Sequence, residues 1–339
     1  MKILVSKSAP SPSIVYNTYW EFAAKRQDVF YKKIENITPW SNDKIISLHK
    51  FTNTYRAADR VSQYLINDVI YSKKFPIKDE LFRILLFKTF NKITTWEKLE
   101  LELGEITYNS FNFDLYNQIL TDISSSGQSI YSGAYIMTSG KSRFGHQRKH
   151  KNHLLLIEHM IKDGLAKKVK SLSSLAQLFN LLKSYPTIGN FLAYQYSIDI
   201  NYGNYCNFDE MDFVVPGPGA LDGITKCFSN LGDYNYTDII KYVTERQDFE
   251  FDRLGIQFKN LWGRKLHLID CQNLFCEVDK YSRVAHPDIK GISDRTRIKQ
   301  KYKPTQKKID YSFPPKWGIN SNLENYYKKL SATTNAIEY

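Results

Sequence analysis

Apolar residues recur along this chain at the three-to-four-residue spacing of helices, and strand-like alternation is scarce. A helix buries one stripe of its surface, so this rhythm confines the fold to packed helices. Residues 14–35 carry aromatic and aliphatic side chains at that spacing, and 78–92 (Leu81, Ile84, Leu85, Phe87, Lys88 and Phe90) read as a buried helix. A helix over 95–104 starts behind the Thr94-Thr95 cap. Further helices are predicted at 111–122, 152–163, 173–183, 189–200, 221–230, 236–246 and 258–280. The expected class is mostly α, with neither the rhythm of a parallel sheet nor a nucleotide-binding glycine loop. Loop composition at 124–129 and 138–151 divides the chain into lobes at 1–130 and 131–289, followed by a basic extension at 290–339.

Charge narrows the partner. The 47 Lys and Arg outnumber 35 Asp and Glu, for a net charge of +12, which fits a polyanion, nucleic acid first and an anionic membrane second. The heavy use of Asn, Ile, Tyr and Lys also fits a simple compositional bias. No basic amphipathic helix with an apolar face stands out, so a membrane surface is the weaker option. Mean hydropathy is −0.44, and no run approaches the roughly eighteen apolar residues of a membrane span. The N-terminal apolar stretch is too short for a signal peptide. Cys206, Cys227, Cys271 and Cys276 are too scattered for a disulfide framework. A reducing cytoplasm, a monomer, no cofactor and no metal are expected. His146, His150 and His153 have helical spacing but no Cys or carboxylate partner nearby.

Several stretches carry candidate chemistry. Residues 184–195 read as a tight glycine turn between two helices, where Gly189 and Asn190 offer free N–H groups to a DNA phosphate. Asp209 and Asp212 follow about twenty residues later. Asp212, ahead of the apolar 213–215 run and a Pro-Gly-Pro-Gly loop, is the expected catalytic carboxylate, and a turn cap is its plainer role. Residues 51–65, read as a helix, put Asn53, Arg56, Arg60 and Gln63 on one face as forked donors, with Asp59 orienting Arg56; a surface helix with an internal ion pair is the alternative. At 273–281, Glu277 and Asp279 are candidate acid–base groups beside Asn273, Lys280 and Tyr281, and a structural Glu277–Lys280 pair is equally open. Tyr135 is a candidate for stacking on an extruded base, or for the core. Lys141, Arg143, Arg148 and Lys149, with the basic stretch 290–308, are read as phosphate-following or as solvated loops.

Several of these blocks resemble known families. The turn at 184–195 with its downstream Asp is similar to the helix-hairpin-helix of DNA glycosylases, with Thr187 standing where the family has its first glycine. Phe51-Thr-Asn-Thr-Tyr-Arg56, Asp59-Arg60, 63–65, Ser132-Gly-Ala-Tyr135, Pro216-Gly-Pro-Gly-Ala220 and Gln272-Asn-Leu-Phe-Cys-Glu-Val-Asp-Lys-Tyr281 resemble the alpha-glutamyl/putrescinyl thymine pyrophosphorylase family of hypermodified-DNA enzymes. The resemblance implies a helix-hairpin-helix glycosylase-like fold of two helical lobes with a cleft, acting on modified pyrimidines in DNA, with Tyr55 among the base-contacting residues. Bifunctional glycosylases carry a Lys two residues after the hairpin glycine, where this chain has Phe191. The implied activity is therefore a monofunctional glycosylase that flips out and excises a base such as glucosylated 5-hydroxymethylcytosine, in anti-phage defence. The alternative is a transferase that replaces pyrophosphate on a 5-hydroxymethyl thymine derivative with an amine.

Overall fold

A computed structural model describes residues 7–135, 137–304 and 309–337. Helices dominate it, and among the described residues the only sheet pairs Ser11–Pro12 with Phe228–Asn230, antiparallel. The expectation of a mostly α protein holds. The chain forms two compact units, one made of residues 1–59 and 214–339 and the other of residues 60–213. These breaks differ from the composition-based ones at 130 and 289, because composition marks loops and not the packing that gathers helices.

In the first unit the helix Ile14–Ile34 starts at Ser13, whose hydroxyl accepts the Val15 N–H at 3.1 Å. Its apolar stripe, including Tyr16, Tyr19, Trp20, Phe22 and Phe30, is buried. Tyr19 lies 4.6 Å from Phe275, ring to ring, and donates its hydroxyl to the Cys271 carbonyl, which seats this helix on Leu268–Ala285. The helix Pro218–Cys227 packs against the same partner at backbone contact. A Cβ on Gly223 would stand 2.0 Å from the Phe275 carbonyl oxygen, and one on Gly219 3.1 Å from Cys276 Sγ. Two glycines one helical turn apart thus let two helices touch through their backbones.

The expected helix 258–280 begins only at Leu268 and runs to Ala285. Trp262 and Gly263 take left-handed backbone angles, φ 50° and 103°, in a turn that closes Leu261 on Arg264. The basic stretch after 290 is also not a loose arm where it is described. Its backbone joins residues 48–50: Lys50 N–H donates to Gln300 O and Tyr302 N–H to Leu48 O, each at 3.0 Å.

The second unit is built around Ile77–Phe90, buried on almost every side. Helices Lys149–Lys162 and Asn190–Asn201 pack against it. Its Arg83 is buried and donates to the carbonyls of Val69, Ile106 and Asp68, so the charge is spread over three dipoles. Leu175–Lys183 joins Asn190–Asn201 through the turn expected at 184–189. The left-handed residue of that turn is Thr187 (φ 69°), while Gly189 is extended at φ −85°.

Candidate functional site

In the acidic stretch 209–212, Asp209 faces solvent as its loop position suggests, while Glu210 and Asp212 depart from expectation. Phe213 packs 5.0 Å from Phe179 and 6.0 Å from Tyr194. That anchor turns the preceding Asp212 out to solvent, while Glu210 is buried. Asp209 is exposed and caps its own turn by accepting the Met211 N–H at 2.8 Å. The buried, rigidly held carboxylate expected at Asp212 is not there.

Residues 51–65 are not one helix. Phe51–Tyr55 is irregular, Arg56–Ala58 is a single 3-10 turn, and a short helix covers Arg60–Tyr64. The shared donor face of Asn53, Arg56, Arg60 and Gln63 therefore does not form, and Arg60 and Gln63 belong to the second unit. Asn53 is held locally, its backbone N–H on Asp59 Oδ1 at 2.7 Å and its side-chain amide on the Ala58 carbonyl. Asp59 thus holds Asn53, and Arg56 is also among its electrostatic neighbours. Arg56 is buried and its N–H donates to Asp270 Oδ1. Tyr55 is buried with its hydroxyl on the Arg264 carbonyl, and Gln63 is buried too.

The segment 273–281 lies on Leu268–Ala285 and is dominated by closed ion pairs. Glu277 Oε2 meets Lys280 Nζ at 2.8 Å and accepts the Thr52 N–H at 3.0 Å. Asp279 is buried against Lys226 Nζ at 2.9 Å and against Arg283. Tyr281 donates its hydroxyl to Asp43 at 2.7 Å, and its ring packs on Phe22. Asn273 is half-buried. Beside this network Asp222 binds Ser293 and Arg295. Burial acts to raise the Asp222 pKa, but the hydrogen bonds from Ser293 and Arg295 outweigh it and leave the carboxyl below its ordinary range.

In the second unit Tyr135 stacks on Phe191 at 5.8 Å with rings 15° apart. Lys88 Nζ stands 3.7 Å from the Tyr135 ring centroid and 2.9 Å from buried Asp199. Tyr135 holds φ 57°, a left-handed angle that costs a non-glycine residue free energy. Lys141, Arg143 and Arg148 are exposed, as are Gly189 and Asn190, whereas Lys149 is half-buried over the Tyr131 ring. His150 and His153 are buried, hydrogen-bonded to Asn117 and to Tyr131, and burial lowers both pKa values to about 4.

No local motif marks a cavity of about 290 Å³ in the first unit, walled by Trp40, Phe51 and Tyr302 and lined by Arg26, Lys33 and His49. Arg26 is buried; its Nη1 has no hydrogen-bond partner, and its Nη2 reaches the Phe51 carbonyl only at 3.4 Å. His49 Nδ1 is likewise buried without a partner. Lys33 Nζ lies 4.7 Å from the Trp40 ring and 4.6 Å from the Tyr302 ring. Burial lowers the Arg26 pKa, against the pull of Asp59 and Glu277. Burial in turn pushes Asp59 up to about 7, although the Asn53 N–H and Arg26 work the other way. The backbone pairing of 48–50 with 300–302 brings Tyr302 here, where its hydroxyl accepts from Lys33 Nζ at 3.0 Å, and no local pattern encodes that pairing.

Comparison with known proteins identifies the family. The family described as 5-hmdU DNA kinase, helical domain, matches residues 13–291. A 5-hmdU DNA kinase of Bacillus phage SP10 is 26% identical over 290 residues, which cover 79% of this chain and 45% of the relative. The chain thus spans less than half the length of that curated relative. No solved structure matches. The chain belongs to the 5-hmdU DNA kinase helical-domain family.

This overturns the expected pyrophosphorylase and glycosylase kinship, and with it excision by a monofunctional hydrolase and the helix-hairpin-helix reading of 184–195. The short motifs misled because acidic residues and aromatic blocks serve base excision and base modification alike. The transferase alternative stood nearer: the relative's name is that of a kinase for a 5-hydroxymethyl pyrimidine in DNA. Among the described residues, no helix is long and apolar enough to cross a membrane, and no three His, Cys, Asp or Glu side chains converge as a metal-holding set.

Proposed function

We propose, from this family membership, that the chain is the DNA-holding part of a phosphotransferase acting on 5-hydroxymethyl-2′-deoxyuridine in DNA. The observation that carries the reading is the family match over residues 13–291. The net charge of +12 supports it, since phosphate contacts supply the sequence-independent share of DNA affinity. Lys141, Arg143 and Arg148, exposed close together in sequence, are the proposed backbone contacts.

In the proposed reaction the hydroxymethyl oxygen attacks the terminal phosphorus of a nucleoside triphosphate. A new O–P bond forms, the bridging P–O bond breaks, the diphosphate leaves, and the hydroxyl proton passes to a base. Catalysis of such a step is mostly positioning and charge stabilisation. The sequence has no Gly-x-x-x-x-Gly-Lys-Ser/Thr loop: Gly140-Lys141-Ser142 is preceded at the first glycine's place by Tyr135. No step on the triphosphate is therefore assigned to this chain's residues. Its proposed part is to bind the DNA and hold the acceptor nucleotide still.

Oligonucleotides identical except for one 5-hydroxymethyl-dU or one dT test this by equilibrium binding. The expected preference for the hydroxymethyl base is about tenfold, the size set by one good polar contact. Equal affinities would sink the reading.

A further inference from the structure

The cavity beside Arg26 differs from every other polar cluster described above in having donors without partners next to open volume. A buried donor left unpaired is costly, so such a group marks a place where a ligand's acceptor is expected. At about 290 Å³ the space falls at the low end of the ~300–1,000 Å³ of small-molecule sites, enough for a base and too small for a nucleoside triphosphate. Pro39 and Ser47 on its lining are exposed, so the space is reached from the surface.

We propose that this cavity receives the extruded 5-hydroxymethyluracil base, an inference that rests on the reading of the chain as a DNA-holding part. Trp40 and Tyr302, whose rings meet edge-on at 6.2 Å, offer an aromatic face on which a pyrimidine stacks. Taking a base out of the duplex breaks its stacking and pairing, which stacking and hydrogen bonds in a pocket offset. The polar groups match the uracil edge. The guanidinium of Arg26 donates to a ring carbonyl, and the imidazole of His49 either donates to the second carbonyl or accepts the N3–H. A cytosine ring would turn an amino donor toward these donors, so the same cavity selects uracil over cytosine.

Charge decides between a base and a phosphate. Arg26 already has Asp59 and Glu277 as electrostatic partners. A phosphate dianion would add negative charge beside Glu277, whereas a neutral base adds only carbonyl dipoles. The hydroxymethyl group then sits within reach of a lining that includes Lys33 and Ser47.

Two substitutions test the cavity in the intact chain. Trp40→Ala removes a half-exposed wall, and Arg26→Gln removes the unpaired donor. Both are compared with the parent on oligonucleotides bearing one 5-hydroxymethyl-dU or one dT. In Trp40→Ala the roughly tenfold preference is expected to fall below about twofold, through a loss of affinity for the 5-hydroxymethyl-dU oligonucleotide. Hydrogen exchange supplies the second readout: residues 38–51 gain protection with 5-hydroxymethyl-dU DNA and not with dT DNA. If Arg26→Gln does not fold, Trp40→Ala and the exchange data decide. A parent that prefers the hydroxymethyl base, paired with a Trp40→Ala variant that keeps the preference and an unprotected 38–51 segment, overturns the cavity and leaves the proposed function standing. A parent without preference overturns both. Protection of 38–51 by ATP in place of DNA gives the cavity to a nucleotide and overturns the inference.

Discussion

Two charged regions of the first unit use similar residues to opposite ends. Around Asp279 the positive and negative groups are matched: Lys226, Arg283 and Glu277–Lys280 sit in short pairs, and Asp222 takes Ser293 and Arg295. Around Arg26 they are not matched, since the guanidinium keeps an unpaired nitrogen beside a cavity and Asp59 is pushed up to about 7 by burial. The first arrangement stabilises helix packing, and its carboxylates are taken up in ion pairs, with only Arg283 Nε of the cations named here left without a partner. The second keeps donors unsatisfied next to empty volume. Acidic residues close in sequence are thus a poor guide to a site, and unsatisfied donors at a cavity are a better one.

The largest expected effect lies in the matched region. Asp279→Ala leaves Lys226 buried without its partner, and chemical denaturation should show a loss of about 3–5 kcal/mol. A loss under about 1 kcal/mol would mean that Lys226 finds another partner and that the network is not structural. Next comes Gly223→Ala. The added methyl would meet the Phe275 carbonyl oxygen at 2.0 Å, so the two helices must separate. Overpacking of this kind costs about 1–3 kcal/mol, here expected at the upper end, and a melting temperature equal to the parent's would contradict the backbone contact.

A pH titration sharpens the contrast further. Asp59 in the folded chain holds its proton up to about pH 7, against an ordinary value of 3.8. Between those limits the folded state binds a proton that the unfolded state has released. Stability from this group is therefore greatest below the lower value, falls as pH rises through the window, and is level above it. The fall is expected to reach about 4 kcal/mol, at one pKa unit per about 1.4 kcal/mol. In Asp59→Asn that component should vanish, and an unchanged pH profile would refute the burial effect assigned to Asp59. The smallest effect on stability is that of Trp40→Ala, within about 1 kcal/mol for a half-exposed side chain. A larger loss, seen by urea unfolding, would make the aromatic wall a structural element rather than a ligand surface.

The sequence made most of the helices legible, because a buried stripe at helical spacing needs no partner to be recognised. Ile14–Ile34 and Ile77–Phe90 fall within a residue or two of expectation. Left-handed angles at Trp262 and Gly263 delayed the helix expected from 258, and a glycine signals such a break while a tryptophan does not. The site was much less legible. Glu277 and Lys280 were visible as neighbours one helical turn apart, and the ion pair open at the sequence level is the arrangement they adopt. Arg56 and Gln63 looked like surface donors because a polar side chain carries no mark of burial in the sequence. Arg26, His49 and Tyr302 come from three separated segments that meet only through folding.

The proposed function turns on one property, recognition of the hydroxymethyl group on a uracil in DNA. Competition binding measures it directly: a labelled 5-hydroxymethyl-dU oligonucleotide is displaced from the chain by unlabelled strands bearing 5-hydroxymethyl-dU, dT or 5-hydroxymethyl-dC. The account predicts that the 5-hydroxymethyl-dU strand competes about tenfold better than either of the others. Equal competition by all three would contradict it.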